Sequence, residues 1–125
     1  MPEIIHIRET NSTNNYLKEL LQTKNVDEGI VVWADFQSAG KGQRGNGWES
    51  EAGKNILFSI VLFPAFIKAG EQFILSQIVS LAVANCLQEY TAGISIKWPN
   101  DIYWNEKKIC GILLENTILE DNIGH

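Results

Sequence analysis

The chain has 125 residues, 45% of them hydrophobic and 20% charged, which is typical of one globular domain with a hydrophobic core. Its formal net charge is -5 at pH 7, so it lacks the basic face of a general nucleic-acid-binding protein, and we expect no nucleic-acid partner. The longest apolar stretches, residues 56–63 and 73–87, are too short or too often interrupted by polar residues to predict a membrane span or a membrane partner.

Short strand patterns and one helix pattern alternate in the first half of the chain. Residues 4–7 predict a strand, and residues 10–24 predict a helix with Ser12 as its N-cap and apolar residues on one face. Residues 29–36 and 56–63 are rich in β-branched and aromatic residues, which favours two further strands.

The second half begins with the clearest helix pattern, at residues 70–90, whose apolar positions recur at helical spacing. Strands are predicted at residues 94–98, 102–104, 107–115 and 116–120. Tight turns are predicted at Asn105-Glu106 and at Asp121-Asn122. The order β-α-β-β-α-β-β-β, which residues 116–120 extend by one further strand, predicts an α+β fold, in which helices pack on one face of a mainly antiparallel sheet. Because the chain stops just after a turn pattern, we expect it to be a fragment of a longer protein.

The two cysteines, Cys86 and Cys110, do not lie in a metal-ligand spacing. Cys86 falls within the apolar helix pattern, which predicts a buried free thiol rather than a disulfide. The first ten residues also lack the pattern of a signal peptide. These observations together predict a cytoplasmic protein.

A glycine-rich stretch, AGKGQRGNGWESEAGKN, joins two of the predicted strands. Its first glycines match G-x-G-x-x-G, but no helix pattern opens at the third glycine, which argues against a dinucleotide site. No Gly-Lys-Ser or Gly-Lys-Thr ends the loop, so a P-loop is also excluded. The stretch carries three cations and one aromatic ring, namely Lys41, Arg44, Lys54 and Trp48. We interpret it as a long mobile loop that holds an anion, and a solvated surface loop is the alternative.

A second group of polar residues lies in the segment KWPNDIYWNEKKICGILLE. Asn100 and Asp101 follow a Trp-Pro pair that breaks the strand. Their side chains could hydrogen-bond the backbone of a turn or line a functional site, and the sequence favours neither alternative. Lys107 and Lys108 point to opposite faces of a strand, and one of them could enter a ligand face while the other is solvated. Gly111 removes a side chain and would let a ligand approach closely.

Together these patterns resemble the catalytic domain of the biotin–protein ligases. The matching segments are Ser-Thr-Asn at residues 12–14, GKGQRGNGW at 40–48, KWPND at 97–101, and a lysine followed by x-x-G-I-L-x-E at 108–115. They follow one another in the family's order, and KWPND with the later lysine is the most specific. The resemblance implies the class II synthetase-like fold of biotin and lipoyl ligases. Residues 1–125 would be the N-terminal part of the catalytic domain, with the C-terminal strands, the small β-barrel cap and any DNA-binding repressor region absent.

The resemblance also implies an activity, its cofactors and its site residues. The enzyme would activate biotin with ATP as biotinoyl-AMP and transfer it to a lysine of a biotin carboxyl carrier protein or domain of a biotin-dependent carboxylase. Biotin, ATP and Mg²⁺ would be required, with no metal-binding residue assigned. The implied biotin-binding residues are Ser12, Thr13, Asn14, Gln37, Gly40, Lys41, Gly42, Gln43, Lys108 and Gly111. The implied nucleotide-binding residues are Arg44, Trp48, Asn100 and Asp101, and the implied catalytic residues are Lys108, Lys41 and Arg44.

In the implied mechanism Lys108 lies between the carboxylate and the phosphate, and the glycine-rich loop closes over the adenylate. Lys41 and Gln43 occupy positions at which the family's commonest loop has arginines. Lysine keeps the positive charge of arginine but cannot form its bidentate hydrogen bonds, and glutamine carries no charge. The alternatives are a lipoyl ligase of the same superfamily, a non-catalytic truncated binding module and a nucleotide-binding regulator. The sequence leaves open the oligomeric state, a homodimer included, and whether these residues suffice for activity.

Overall fold

The computed structural model describes residues 3–42, 45–97 and 100–125 of the chain. Two compact units make up the chain, the first formed by Met1–Phe63 with His125 and the second by Pro64–Gly124. Each unit contains one α-helix and short strands. The described residues therefore have the α+β composition that the sequence predicts.

The first unit is built on a three-stranded sheet. Its strands are β1 (Ile4–Thr10), β2 (Val31–Gln37) and β5 (Leu57–Ile60). β2 lies in the centre, with β1 parallel to it on one side and β5 antiparallel to it on the other. A parallel pair needs a long crossover, and α1 (Thr13–Thr23) supplies it between β1 and β2. This sheet is thus mixed. The other strand pairs among the described residues are antiparallel, as the sequence predicts for most of the pairing.

The core of the first unit lies between α1 and this sheet. Leu17 of α1 packs with Ile30, Val32 and Val61, and all four side chains are buried. The predicted N-cap is confirmed, because Ser12 has an extended backbone and its Oγ accepts a hydrogen bond from the N–H of Asn15 at 3.0 Å. That bond satisfies one of the N–H groups that the first helical turn leaves without a partner.

The glycine-rich segment forms a short hairpin in its described part. β3 (Gly40–Lys41) pairs antiparallel with β4 (Gly47–Trp48). At the end of the hairpin the N–H of Gly42 donates to the carbonyl of Asn46 at 2.6 Å. The sequence predicts a loop without strands here, because glycine has low β-propensity. The two strands that the structure shows are only two residues long, too short to leave a strand pattern in the sequence. Gln43 and Arg44 lie outside the described residues.

The second unit is built on α2 (Gln72–Gln88), which follows a 3-10 turn at Ala69–Glu71. A three-stranded antiparallel sheet follows, formed by β6 (Ile94–Lys97), β7 (Asp101–Trp104) and β8 (Lys107–Gly111). The predicted turn between β7 and β8 is confirmed, with a positive φ of 54° at Asn105.

Two predicted boundaries in the second unit are wrong. The predicted strand at residues 107–115 ends at Gly111, because that residue pairs with the first residue of β7 and the partner strand goes no further. The last strands, β9 (Ile118–Leu119) and β10 (Asn122–Ile123), form an antiparallel hairpin. Its turn lies at residues 120–121, one residue earlier than predicted, and Glu120 takes the positive φ of 56°.

α2 is apolar on several sides, and its surroundings cover only part of it. Leu75 packs with Ile67 and Ile123 in a buried cluster, whereas Phe73 and Leu81 are 49% and 54% exposed. The predicted burial of Cys86 is therefore wrong, since an apolar pattern all round a helix does not identify its covered face. Ala69–Gln88, 20 residues long, is long and apolar enough to cross a membrane by length and hydropathy alone, a criterion that the core helices of soluble proteins also meet.

Candidate ligand-binding site

The start of α1 carries a cluster of hydrogen-bonded polar side chains. The hydroxyl of Thr13 donates to Gln37 Oε1 at 3.1 Å and lies 2.6 Å from the hydroxyl of Ser59. The N–H of Thr13 also donates to Gln37 Oε1, at 2.8 Å, and Ser59 Oγ donates to Asn14 Oδ1. We call Thr13, Asn14, Gln37 and Ser59 the α1 cluster. Its members come from α1, the end of β2 and the middle of β5.

The two hydroxyl groups of the α1 cluster are buried, and together they have fewer protons than hydrogen-bond contacts. Thr13 and Ser59 are 3% and 7% exposed, and the N-cap Ser12 is 2% exposed. Each hydroxyl has one proton, so the two protons can serve only two of the three hydroxyl contacts at a time. Oxygen lone pairs therefore remain in a buried setting, where they can accept hydrogen bonds from a ligand.

Ser59 is a member of the α1 cluster that the sequence analysis missed. It lies on β5, whose residues alternate between buried and exposed along the strand. That alternation places Ser59 on the same face as the buried Leu57. A serine at an inward position of a half-buried strand was the signal that could have identified it, because buried hydroxyls need partners.

Lys41 contacts Asn15, the residue that follows the α1 cluster's Asn14 in the chain. Its Nζ donates a hydrogen bond to Asn15 Oδ1 at 2.7 Å in a partly buried setting. The backbone leading into β3 is fixed as well, because the N–H of Ala39 donates to the carbonyl of Asn11 at 2.8 Å. The structure therefore brings the base of the glycine-rich hairpin to the start of α1.

Gly40 is required by the close approach of the two hairpin strands. A Cβ at this position would lie 2.3 Å from the carbonyl oxygen of Trp48. At Gly42 the nearest atom would be 3.4 Å away, and at Gly47 it would be 3.8 Å away. Trp48 is partly buried and pairs with Gly40, so the structure places the predicted adenine-side residue on a strand. The predicted ligand residues Gln43 and Arg44 lie outside the part of the chain that the structure describes.

The second unit brings together the predicted residues of the KWPND segment and of β8. Lys108 Nζ lies 2.9 Å from Asp101 Oδ1, and the two side chains are 37% and 33% exposed. Gly111 pairs with Asp101 in the sheet, and the register between the two strands shifts next to Ile102. Such a shift turns side chains relative to a regular ladder. Trp98 and Pro99 of the same segment lie outside the described residues.

Asn100 is held from α2. It is 5% exposed, and its Oδ1 accepts a hydrogen bond from the hydroxyl of Ser76. Ser76 is not predictable from the sequence, because one serine in a helical pattern carries no sign of a partner 24 residues away. Burial raises the pKa of the Cys110 thiol, while the positive charge of Lys108 opposes that shift. The thiol beside the ion pair therefore stays protonated at neutral pH.

The described residues contain no cluster of metal-ligating side chains. Within residues 3–42, 45–97 and 100–125, no three or more His, Cys, Asp or Glu side chains come together as a metal ion would require. The predicted site residues that the structure describes therefore offer hydroxyls, amides, lysine ammonium groups and the single carboxylate of Asp101.

Comparison with known proteins identifies the family. The Biotin/lipoate A/B protein ligase family matches residues 6–125. The bifunctional ligase/repressor BirA of Bacillus subtilis is 39% identical over 105 residues, which are 82% of this chain and 32% of that relative. The biotin–[acetyl-CoA-carboxylase] ligase of Mycobacterium tuberculosis is 30% identical over 113 residues, 87% of this chain and 42% of that relative. The chain thus spans about a third of the length of the first curated relatives it matches.

Solved structures give the same result. A biotin acetyl coenzyme A carboxylase synthetase from Helicobacter pylori, with bound biotinylated ATP, matches 98% of this chain and 58% of its own, with a TM-score of 0.80 and 26% identity. A biotin protein ligase from Aquifex aeolicus, in complex with biotin and ATP, matches 98% of this chain and 50% of its own, with a TM-score of 0.74 and 34% identity. These matches confirm the predicted resemblance and fold class. The chain belongs to the biotin/lipoate A/B protein ligase family.

Proposed function

We propose that the protein carrying this chain is a biotin–protein ligase. It would form biotinoyl-AMP from biotin and ATP and pass the biotinoyl group to a lysine of a biotin carboxyl carrier protein. The observation that carries the proposal is the α1 cluster together with the contact between Lys41 and Asn15, since uncharged hydrogen-bonding groups and a cation meet at the first turn of α1. The relatives support it, because one solved structure is a biotin protein ligase from Leishmania major in complex with biotinyl-5-AMP.

The α1 cluster suits the ureido ring of biotin. That ring presents two N–H donors and one carbonyl acceptor and has no charge. Hydroxyl and amide side chains can both donate and accept, so they can match this pattern without placing a charge in a buried pocket. We assign Ser12, Thr13, Asn14 and Gln37 to the ring, and we add Ser59 because its hydroxyl contacts Thr13 and Asn14.

The first chemical step joins two anions. A carboxylate oxygen of biotin attacks the α-phosphorus of ATP, the bond to the β-phosphate oxygen breaks, and pyrophosphate leaves. Fixed cations at the reacting groups offset the repulsion and stabilise the charge of the transition state. We assign this role to Lys41 of the hairpin and Lys108 of β8, and to Arg44 with Gln43 beyond the described residues.

Lys108 has a defined partner for this role. Asp101 lies 2.9 Å from its ammonium and restricts the directions in which that ammonium can point. Both side chains are about one-third exposed, so the pair contributes little to stability and a phosphate can compete for the ammonium. We propose that Asn100 and Asp101 serve the nucleotide together with Trp48, and that Gly111 leaves room for biotin.

The second step consumes the adenylate. The amine of a carrier lysine attacks the activated carbonyl carbon, an amide bond forms, and AMP leaves with the bonding electrons of the C–O bond. The carrier is proposed because several relatives are named biotin–[acetyl-CoA-carboxylase] ligases. Mg²⁺ would arrive as the complex of the triphosphate, since its preferred ligands include phosphate oxygens and the described residues hold no carboxylate cluster.

Biotin-dependent exchange of pyrophosphate into ATP tests this function. The purified protein is incubated with ATP, labelled pyrophosphate and either biotin or lipoic acid. We expect exchange with biotin and little with lipoic acid. Exchange that prefers lipoic acid would instead identify a lipoyl ligase, the other activity in the family's description. Binding of biotin without exchange would indicate a non-catalytic binding module.

A further inference from the structure

We propose that Asn15 is a positioning residue, which holds the ammonium of Lys41 for the anionic groups of the adenylation reaction. This inference rests on the proposed function. Lys41 Nζ donates to Asn15 Oδ1 at 2.7 Å, within the range of charge-assisted hydrogen bonds. The two residues are 26 positions apart in the chain, so the contact ties the glycine-rich hairpin to the first turn of α1.

Both ends of this contact are fixed by their own backbones. The N–H of Asn15 donates to the N-cap hydroxyl of Ser12 at 3.0 Å, and Ser12 is buried. Lys41 belongs to β3 and pairs with Gly47 of β4. The bond therefore restricts the long lysine side chain between two ordered segments. Holding such a side chain in one orientation has an entropic cost, which is offset only where the ammonium has a partner.

The type of partner is informative. An amide oxygen accepts a hydrogen bond from an ammonium without neutralising it, whereas an aspartate at the same position would form an ion pair. The N-terminal end of a helix also carries a partial positive charge, which disfavours a nearby cation. The contact with a neutral amide therefore leaves the charge of the ammonium in place, and the helix end adds to the local positive potential. That arrangement suits a carboxylate or phosphate ligand.

The contact with Asn15 also orients the ammonium. A lysine lacks the planar fork that orients a guanidinium. The hydrogen bond to Asn15 supplies an orientation for the ammonium that its own shape does not provide. Asn15 would therefore act through Lys41 and need not touch the substrates.

Chemical labelling tests the contact independently of catalysis. Asn15→Ala removes the acceptor, and alanine is a better helix former, so α1 should persist. We expect limited acetylation, read by peptide mass spectrometry, to modify Lys41 several-fold faster in Asn15→Ala than in the wild-type protein. The exposed Lys24, at the other end of α1, serves as the internal reference and should not change. An unchanged rate at Lys41, with an unchanged circular dichroism spectrum, would overturn the inference.

A double-mutant cycle tests the role in the reaction. Asn15→Ala should lower biotin-dependent exchange about tenfold, the effect of losing one hydrogen bond to a charged group. Asn15→Asp should lower it further, because the new carboxylate neutralises the ammonium. In a Lys41→Met background, Asn15→Ala should have no further effect if it acts through Lys41. Equal losses in both backgrounds would overturn the inference alone. If the wild-type protein shows no exchange, the proposed function fails, and the labelling rate then decides whether Asn15 holds Lys41.

Discussion

Replacement of Thr13 by valine should lower the free energy of unfolding by about 1–2 kcal/mol. Valine keeps the branched shape of threonine and removes only the hydroxyl. The hydroxyl contacts Gln37 Oε1 at 3.1 Å and the hydroxyl of Ser59 at 2.6 Å, in a side chain that is 3% exposed. The substitution therefore acts on hydrogen bonding in a buried setting without creating a large cavity.

The partners left behind set the magnitude. Gln37 still accepts from the N–H of Thr13 at 2.8 Å, because that group belongs to the backbone. Ser59 still donates to Asn14. Neither partner becomes a buried group without a hydrogen bond, which would cost about 1–3 kcal/mol for each. The substitution removes the hydrogen bond from the Thr13 hydroxyl to Gln37 Oε1 and the contact with the Ser59 hydroxyl. The second loss is smaller, because Ser59 keeps its bond to Asn14, so the estimate is about 1–2 kcal/mol.

Urea titration followed by circular dichroism measures the change from the shift in midpoint at constant slope. Thr23→Val is the matched control on the same helix, since its exposed hydroxyl bonds only to carbonyls of the preceding turn. The control should stay within about 0.5 kcal/mol of the wild-type value. Equal stability of the Thr13 and Thr23 variants would refute the description of the α1 cluster as a buried hydrogen-bonded network. Biotin affinity should fall in the Thr13 variant alone.

Three further predictions concern the hairpin, β8 and the half-buried thiol of Cys110. Gly40→Ala would place a Cβ 2.3 Å from a backbone carbonyl of β4, so calorimetry should show weaker biotin binding, whereas Gly47→Ala, with its nearest atom at 3.8 Å, should bind almost normally. Lys108→Ala should lower pyrophosphate exchange by about 10²–10³-fold with the fold intact, and Lys107→Ala should not; equal activities would contradict the role of Lys108. Because burial raises the pKa of Cys110, its alkylation by iodoacetamide should reach half-maximal rate at a higher pH in the native than in the urea-unfolded protein, and coincident midpoints would contradict that burial.

Local features of the fold could be predicted from the sequence. Ser12 was identified as the N-cap, because a serine before an apolar helical pattern satisfies the backbone of the next turn. The turn at Asn105 was identified for a similar reason, since asparagine tolerates the positive φ that the turn requires. Both signals lie within a few residues of the feature they predict.

The features that the sequence did not reveal depend on distant partners. Ser59 joins Thr13 across 46 positions, and Asn15 joins Lys41 across 26. The early end of β8 at Gly111 follows from the length of its partner strand. The exposure of Cys86 follows from which side of α2 is covered. None of these is encoded in a local pattern, because each is set by tertiary packing.

The central claim is that this protein activates biotin as an adenylate, and detection of that product tests it most directly. The purified protein is incubated with biotin, ATP and Mg²⁺, and the bound small molecules are released and analysed by mass spectrometry. We predict biotinoyl-AMP from biotin, a much smaller yield of lipoyl-AMP from lipoic acid, and loss of both in Lys108→Ala. An adenylate formed preferentially from lipoic acid, or no adenylate from a folded protein that binds biotin, would contradict the claim.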